Sequence, residues 1–351
     1  MDDLLVLIMA GGIGTRFWPL STKERPKQFL KLFPDDRSLL QKAYERIEGI
    51  VPPERVIVLT NTAFVDLVKE QLPQLPEDNI IGEPLRRDTA AAICLGALLA
   101  RRRFSNPIMV VTTADHIIEP VESFQKTVLS AAREAAKQNT LYTIGVIPTY
   151  PATAYGYLEI EGEPTIVDGL KHYRLLSFKE KPDLPTAESF LASGRYLWNS
   201  GMFVWKTETI LEAFEKYLPK HIELLEEVVK KESLSPPNLH EAFVQLTPIS
   251  IDYGVMEKVE GVRCVFAPFF WKDMGGWLSL ADHLTRCEKE NHIKGQVRLL
   301  ESDGNIVFCQ NSEDLVVLVG VSNLVVVRAG GKTLVAHKEK LEAVKKVAED
   351  L

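Results

Sequence analysis

Residues Leu4 to Ala10 form a short, unbroken apolar run halted by Gly11 and Gly12, and the same form recurs at Arg55 to Thr60, Pro107 to Thr113 and Leu141 to Val146. Runs of this length without polar interruption are strands buried on both faces, the habit of a parallel sheet. Helical stretches lie between them at Leu39 to Ile50, Ala63 to Gln71, Thr89 to Arg103 and Ser123 to Gln138. Strands and helices in alternation build right-handed βαβ units, so the fold class is α/β: a Rossmann-like, mixed but mostly parallel sheet flanked by helices. Ligands of such sheets bind beyond the carboxyl ends of the strands.

From Tyr155 the pattern loosens into short strands and prolines, with a helical segment at Leu211 to Lys231, and this half is read as completing the sheet. After His292 the texture changes to short β runs at Val297 to Leu300, Ile306 to Cys309, Leu315 to Val319, Leu324 to Arg328 and Thr333 to Ala336. They are separated by turn residues such as Asp303-Gly304-Asn305 and Gly330-Gly331. A final amphipathic helix is read from Leu341, Val344, Val347, Ala348 and Leu351. The expected division is a catalytic domain over 1–288 and a small C-terminal β domain with its final helix over 289–351. That tail carries more apolar runs than so small a domain buries alone, which predicts a homodimer.

The formal net charge of −7 disfavours nucleic acid or an anionic membrane as a partner. An acidic start and the lack of a long apolar run predict a cytoplasmic protein. Cys94, Cys264, Cys287 and Cys309 are scattered and the seven histidines show no ligand spacing, so any metal is expected on oxygen ligands. Against this acidic background, Arg16, Lys23, Arg25, Lys27 and Lys31 cluster around the single acid Glu24. A cationic cluster beside a glycine-rich loop points to a small polyanion, with Lys23, Arg25 and Lys31 taken singly reading as solvated surface cations.

That loop is Ala10-Gly11-Gly12-Ile13-Gly14-Thr15-Arg16, directly after the first strand. Glycines let the backbone approach phosphate oxygens, although a plain tight turn would read the same way. The third glycine of a dinucleotide fingerprint and the Gly-Lys-Ser/Thr ending of a Walker loop are both missing, which disfavours a dehydrogenase. With its continuation Phe17-Trp18-Pro19-Leu20-Ser21 and Arg25-Pro26-Lys27-Gln28-Phe29-Leu30, the stretch closely resembles the opening signature of mannose-1-phosphate guanylyltransferases, within the sugar nucleotidyltransferase superfamily. Further blocks resemble the family in order: Gly82-Glu83-Pro84 with Arg87-Asp88-Thr89-Ala90, Thr113-Ala114-Asp115-His116, Ala154-Tyr155-Gly156-Tyr157, Phe178-Lys179-Glu180-Lys181-Pro182, Trp198-Asn199-Ser200-Gly201, Ser250-Ile251-Asp252-Tyr253-Gly254 and Trp271-Lys272-Asp273-Met274-Gly275. Asp88 and Ala91 stand where the family usually has asparagine and proline.

The resemblance implies condensation of GTP with mannose 1-phosphate to GDP-mannose and pyrophosphate, by in-line attack on the α-phosphate. Arg16 and Lys27 supply charge for the leaving pyrophosphate, and Lys181 steadies the sugar phosphate. Ala10, Gly11, Gly12, Gly14, Thr15, Arg16, Glu83 and Asp88 are the implied nucleotide site. Glu83 faces the base, where a carboxylate can accept from guanine N1–H and its exocyclic amine. Gly156, Glu180, Lys181, Asn199 and Asp252 are the implied sugar-phosphate site. Taken alone, Asp115 at its strand end reads as a helix N-cap; the resemblance pairs it with Asp273 as a Mg²⁺ site, two carboxylates expected to repel one another without a cation. Glu180 and Asn199 do not encode sugar stereochemistry, so another hexose or a heptose 1-phosphate stays open. A non-catalytic regulatory relative would be expected to lose charged residues, and Arg16, Lys27, Asp115, Lys181 and Asp273 are all present.

Overall fold

A computed structural model describes residues 3–350 apart from 13, 34, 231–233 and 235. Ile13 of the glycine loop, Lys231 and Leu351 therefore lie outside the described residues. By contact density the chain forms two units, one of residues 1–11, 43–114 and 118–271, the other of 12–42, 115–117 and 272–351.

The first unit is built on a nine-stranded sheet. Its strands run in the order Ile80–Glu83, Val56–Asn61, Leu4–Ala10, Ile108–Thr113, Tyr196–Lys206, Tyr142–Val146, Arg263–Phe266, Leu170–Lys179 and Tyr157–Val167. The first four are mutually parallel, with Val6 opposite Val56 and Leu4 opposite Ile108. Tyr196–Lys206 then runs antiparallel to both of its neighbours. The helix Asp88–Arg103 is buried without a break from Ala90 to Ala100, the pattern of a helix enclosed on all sides. The expected helix over Leu211 to Lys231 is two, Thr207–Tyr217 and Pro219–Lys230, because Pro219 has no N–H to continue the ladder.

In the second unit a five-stranded sheet takes Thr285–Cys287, Asn291–Lys294, Ile306–Cys309, Leu324–Ala329 and Lys332–His337 in that order, and Gln296–Leu300 pairs in parallel with Leu315–Val319. The first two strands of the five carry mostly polar residues and have no apolar run to announce them. Phe17, Leu30 and Leu39 share one core with Met274, Trp277, Phe308 and Val325, which ties the segment after the glycine loop to the tail. The closing segment is a 3-10 turn, Lys338–Ala343, followed by the helix Val344–Asp350. Val344 and Ala348 are buried but Val347 is 51% exposed, so the apolar face is narrower than the sequence spacing predicts. Among the described residues no helix is long and apolar enough to cross a membrane.

Candidate functional site

Within the second unit the chain places Lys27 between the two predicted metal-site carboxylates. Its Nζ lies 2.8 Å from Asp115 Oδ2 and 3.8 Å from Asp273 Oδ1, and donates to the Met274 carbonyl at 3.1 Å. The Met274 N–H donates to the Asp115 carbonyl at 3.0 Å, which fixes the two acidic segments side by side. Burial opposes charge on Lys27, but Asp115 and Asp273 outweigh it and hold the ammonium above the ordinary lysine value. Two expectations change here. A strand, His116–Glu119, follows Asp115, so the N-cap reading fails; and the aspartates do not simply repel, because Lys27 compensates both. His116 joins the group, one ligand atom from each of Asp115, His116 and Asp273 lying within 4.8 Å of the others. It stood in a quoted motif without a role.

Gly14 positions this lysine. At φ 61° it takes the left-handed conformation, and a Cβ there would lie 2.5 Å from Lys27 Cγ. Thr15 opens the 3-10 turn Thr15–Phe17, Gln28 Nε2 donates to the Gly12 carbonyl at 2.8 Å, and Trp277 Nε1 donates to the Trp18 carbonyl at 3.1 Å. Arg16 is near enough to Lys27 to oppose its charge, and its exposed Nε lies 3.4 Å from Glu342 Oε2.

In the first unit the Ala10 carbonyl accepts from Thr60 Oγ1 at 3.0 Å, and a Cβ on Gly11 would meet Glu83 Oε2 at 3.3 Å. Glu83, at the end of its strand, therefore lies against the start of the glycine loop. Burial pushes its carboxyl up to about 8, opposed only weakly by Arg86. Asp88 begins its helix at φ 63°, a conformation aspartate and asparagine tolerate better than most side chains, and its Oδ1 accepts from the Thr89 N–H at 2.7 Å.

A second polar cluster in this unit gathers all five predicted sugar-site residues. Asn199 Nδ2 donates to Asp252 Oδ1 at 3.0 Å, while its Oδ1 accepts from the Thr143 hydroxyl at 2.9 Å. The Asn199 N–H donates to the Gly156 carbonyl at 2.8 Å. Lys181, at φ 45°, donates to Glu180 Oε1, and a Cβ on Gly156 would collide with Glu180 Oε2. The Glu180 N–H donates to Glu257 Oε1 at 2.9 Å. Burial and the neighbouring Glu180 charge raise Asp252 to about 7. Thr143 and Glu257 went unnoticed in the sequence, because a threonine inside an apolar strand and a glutamate in the turn after Asp252–Met256 carry no local signal.

Glycines and fixed cations at the end of the first strand, with a carboxylate pair close by, define an α/β protein that handles nucleoside phosphates, in the class of nucleotidyl transferases. The nucleotidyl transferase family matches residues 5–290, and the MannoseP isomerase/GMP-like beta-helix domain matches 295–351. Mannose-1-phosphate guanylyltransferases of Klebsiella pneumoniae and Escherichia coli K12 are each 37% identical, over 99% and 100% of this chain respectively and 74% of their own length. A crystal structure described as mannose-1-phosphate geranyltransferase from Thermus thermophilus superposes with a TM-score of 0.87 at 33% identity, covering 99% of both chains. The chain belongs to the mannose-1-phosphate guanylyltransferase family of nucleotidyl transferases.

Proposed function

We propose that the protein condenses GTP with mannose 1-phosphate to give GDP-mannose and pyrophosphate, with a catalytic domain to about residue 288 and a β domain beyond it. The observation that carries the reading is Lys27 held against Asp115 and Asp273 and packed on Gly14 of the glycine loop. An oxygen of the sugar phosphate attacks the α-phosphorus as the bond to the pyrophosphate oxygen breaks, so negative charge grows on the leaving group. Lys27 and Arg16 are fixed cations suited to that charge. Glu180, Asn199 and Asp252 offer acceptors and donors to sugar hydroxyls, and Lys181 meets the sugar phosphate.

Two carboxylates form a hard-oxygen donor set suited to Mg²⁺, and Asp273 Oδ1 is buried without a hydrogen-bond partner, as expected of an oxygen reserved for a cation. When bound there by Asp115 and Asp273, Mg²⁺ supplies Lewis-acid neutralisation of phosphate charge. A homodimer also belongs to the reading, because Leu300, Leu315, Val317, Val319 and Val335 of the β domain are each more than half exposed; a monomeric mass in solution would remove it. So does a cytoplasmic setting, which suits four free cysteines.

Pyrophosphate release, measured for mannose, glucose, galactose and heptose 1-phosphates against GTP, ATP, UTP and dTTP, tests the whole. The expected optimum is mannose 1-phosphate with GTP, and no release with any pair would end the reading.

Glu83 gives a sharper expectation for the base. Below about pH 8 its carboxyl is protonated and lacks one of the two acceptors that guanine needs. The kcat/KM for GTP should therefore rise with pH and level off above about 8. In Glu83→Gln the rise should vanish and preference over ATP should shrink by about tenfold or more. The folded value above the ordinary one also means that the proton on Glu83 stabilises the fold at low pH, a contribution lost as pH rises through about 8. An unchanged GTP to ATP preference in the variant would place base reading elsewhere.

A further inference from the structure

The second unit contains a cavity of about 410 Å³ that the reaction above does not use. Its wall includes Arg25, Phe29, Lys31 and Asp36 from the segment after the glycine loop, with Lys294 and Phe308 from the β domain. The volume falls in the range of small-molecule sites. Three of these side chains are cationic and one is acidic. Lys31 is taken up by Asp36 at 2.7 Å, which leaves Arg25 and Lys294 with no carboxylate partner among the described residues.

Lys294 is the more telling of the two. It is half-buried on a strand whose register places it opposite Phe308, its Nζ sits 4.8 Å from that ring's centre, and it donates to the Leu32 carbonyl at 3.2 Å. Its direct contacts are a neutral carbonyl and a ring face, and burial holds the ammonium below the ordinary lysine value, only partly offset by the charge of nearby Asp36. Arg25 is exposed at the same cavity, and a guanidinium suits bidentate capture of a phosphate.

The cavity also adjoins the catalytic segment. Phe29 belongs to the 3-10 turn Lys27–Phe29, and the Leu30 N–H closes that turn on the Lys27 carbonyl at 3.0 Å. One side of the turn thus presents Lys27 to Asp115, while Phe29 and Leu30 line the cavity. A ligand there touches residues that set where Lys27 stands.

We propose that this cavity is a second anion site, distinct from the glycine loop, that binds a small phosphorylated molecule through Arg25 and Lys294 and alters turnover by shifting the Lys27 turn. The binding half stands whatever the reaction; the effect on turnover rests on the role given to Lys27 above.

The test uses the full chain with two probes, inorganic phosphate and glycerol 3-phosphate, at millimolar concentration and in the presence of saturating GTP. Saturable binding by calorimetry is expected for the wild type. Lys294→Met, which keeps the apolar stem over Phe308, and Arg25→Gln should each weaken it by about tenfold or more while leaving turnover without probe unchanged. Should Lys294→Met fail to fold, the exposed Arg25→Gln still decides the matter. Equal binding of both probes makes phosphate itself the recognised group, and tighter binding of glycerol 3-phosphate makes the ligand an organophosphate; both support the site. No saturable binding of either probe, binding that GTP displaces, or binding that survives both variants would overturn it. Binding that leaves wild-type turnover unmoved would overturn the coupling to Lys27.

Discussion

Asp115→Ala and Asp273→Ala should each reduce Mg²⁺-dependent pyrophosphate release by about two orders of magnitude or more, and the double variant should be little worse than either single one. Far apart in sequence, the two aspartates converge on Lys27, and their oxygens form one donor group with His116. If they serve one cation, losing the first disables the step and leaves the second nothing to do. Stability should respond differently. Either loss removes a charged partner from the poorly exposed Lys27 ammonium, costing about 1 to 3 kcal/mol. That cost should shrink when Lys27→Met is made as well, because no cation is then left uncompensated. Melting temperature and pyrophosphate release across the singles, the pair and the Lys27 combinations provide the cycle. Independent, multiplying losses of activity would mean that the two carboxylates do not share a site.

Legibility in the sequence followed the range of the forces involved. Ile306–Cys309 falls where its apolar run places it, and Val56–Asn61 differs from its expected span by one residue at each end, because burial on both faces writes itself directly into composition. Leu315–Val319 also falls on its apolar run, although Leu315, Val317 and Val319 are exposed. Asn291–Lys294 did not show, since its place is set by parallel pairing with Ile306–Cys309 and by Asn291, whose buried amide donates to the Ser302 carbonyl at 3.0 Å. At the candidate site the identities were readable and their company was not. No local pattern says that Lys27 lies between Asp115 and Asp273, or that the Thr143 hydroxyl turns the Asn199 amide so that its N–H group meets Asp252. Those are contacts over long chain separations, fixed only when sheet and core have formed.

The placement of Lys27 raises a question that substitution can decide: whether it acts on the reacting phosphates or merely props the two aspartates apart. Lys27→Ala should lower turnover by about two orders of magnitude or more, as removal of a preorganised cation at a developing charge typically costs about 3 kcal/mol. A prop would behave differently. Without the lysine the carboxylates are less compensated, so they should bind Mg²⁺ at least as tightly as before, and a high Mg²⁺ concentration would replace the lost charge and restore the rate. The expected result is therefore a variant whose Mg²⁺ dependence is shifted to equal or lower concentration while its turnover stays low at saturation. Lys27→Met, which keeps most of the stem packed on Gly14, separates loss of charge from loss of packing and should be nearly as slow as Lys27→Ala. Glycine-loop geometry offers a companion: Gly14→Ala places a methyl group against Lys27 Cγ and Cβ at a backbone angle that alanine resists, so it should lower turnover with Lys27 itself intact. Full recovery of Lys27→Ala at high Mg²⁺ would assign the lysine to electrostatic support of the metal site and take it out of the chemistry.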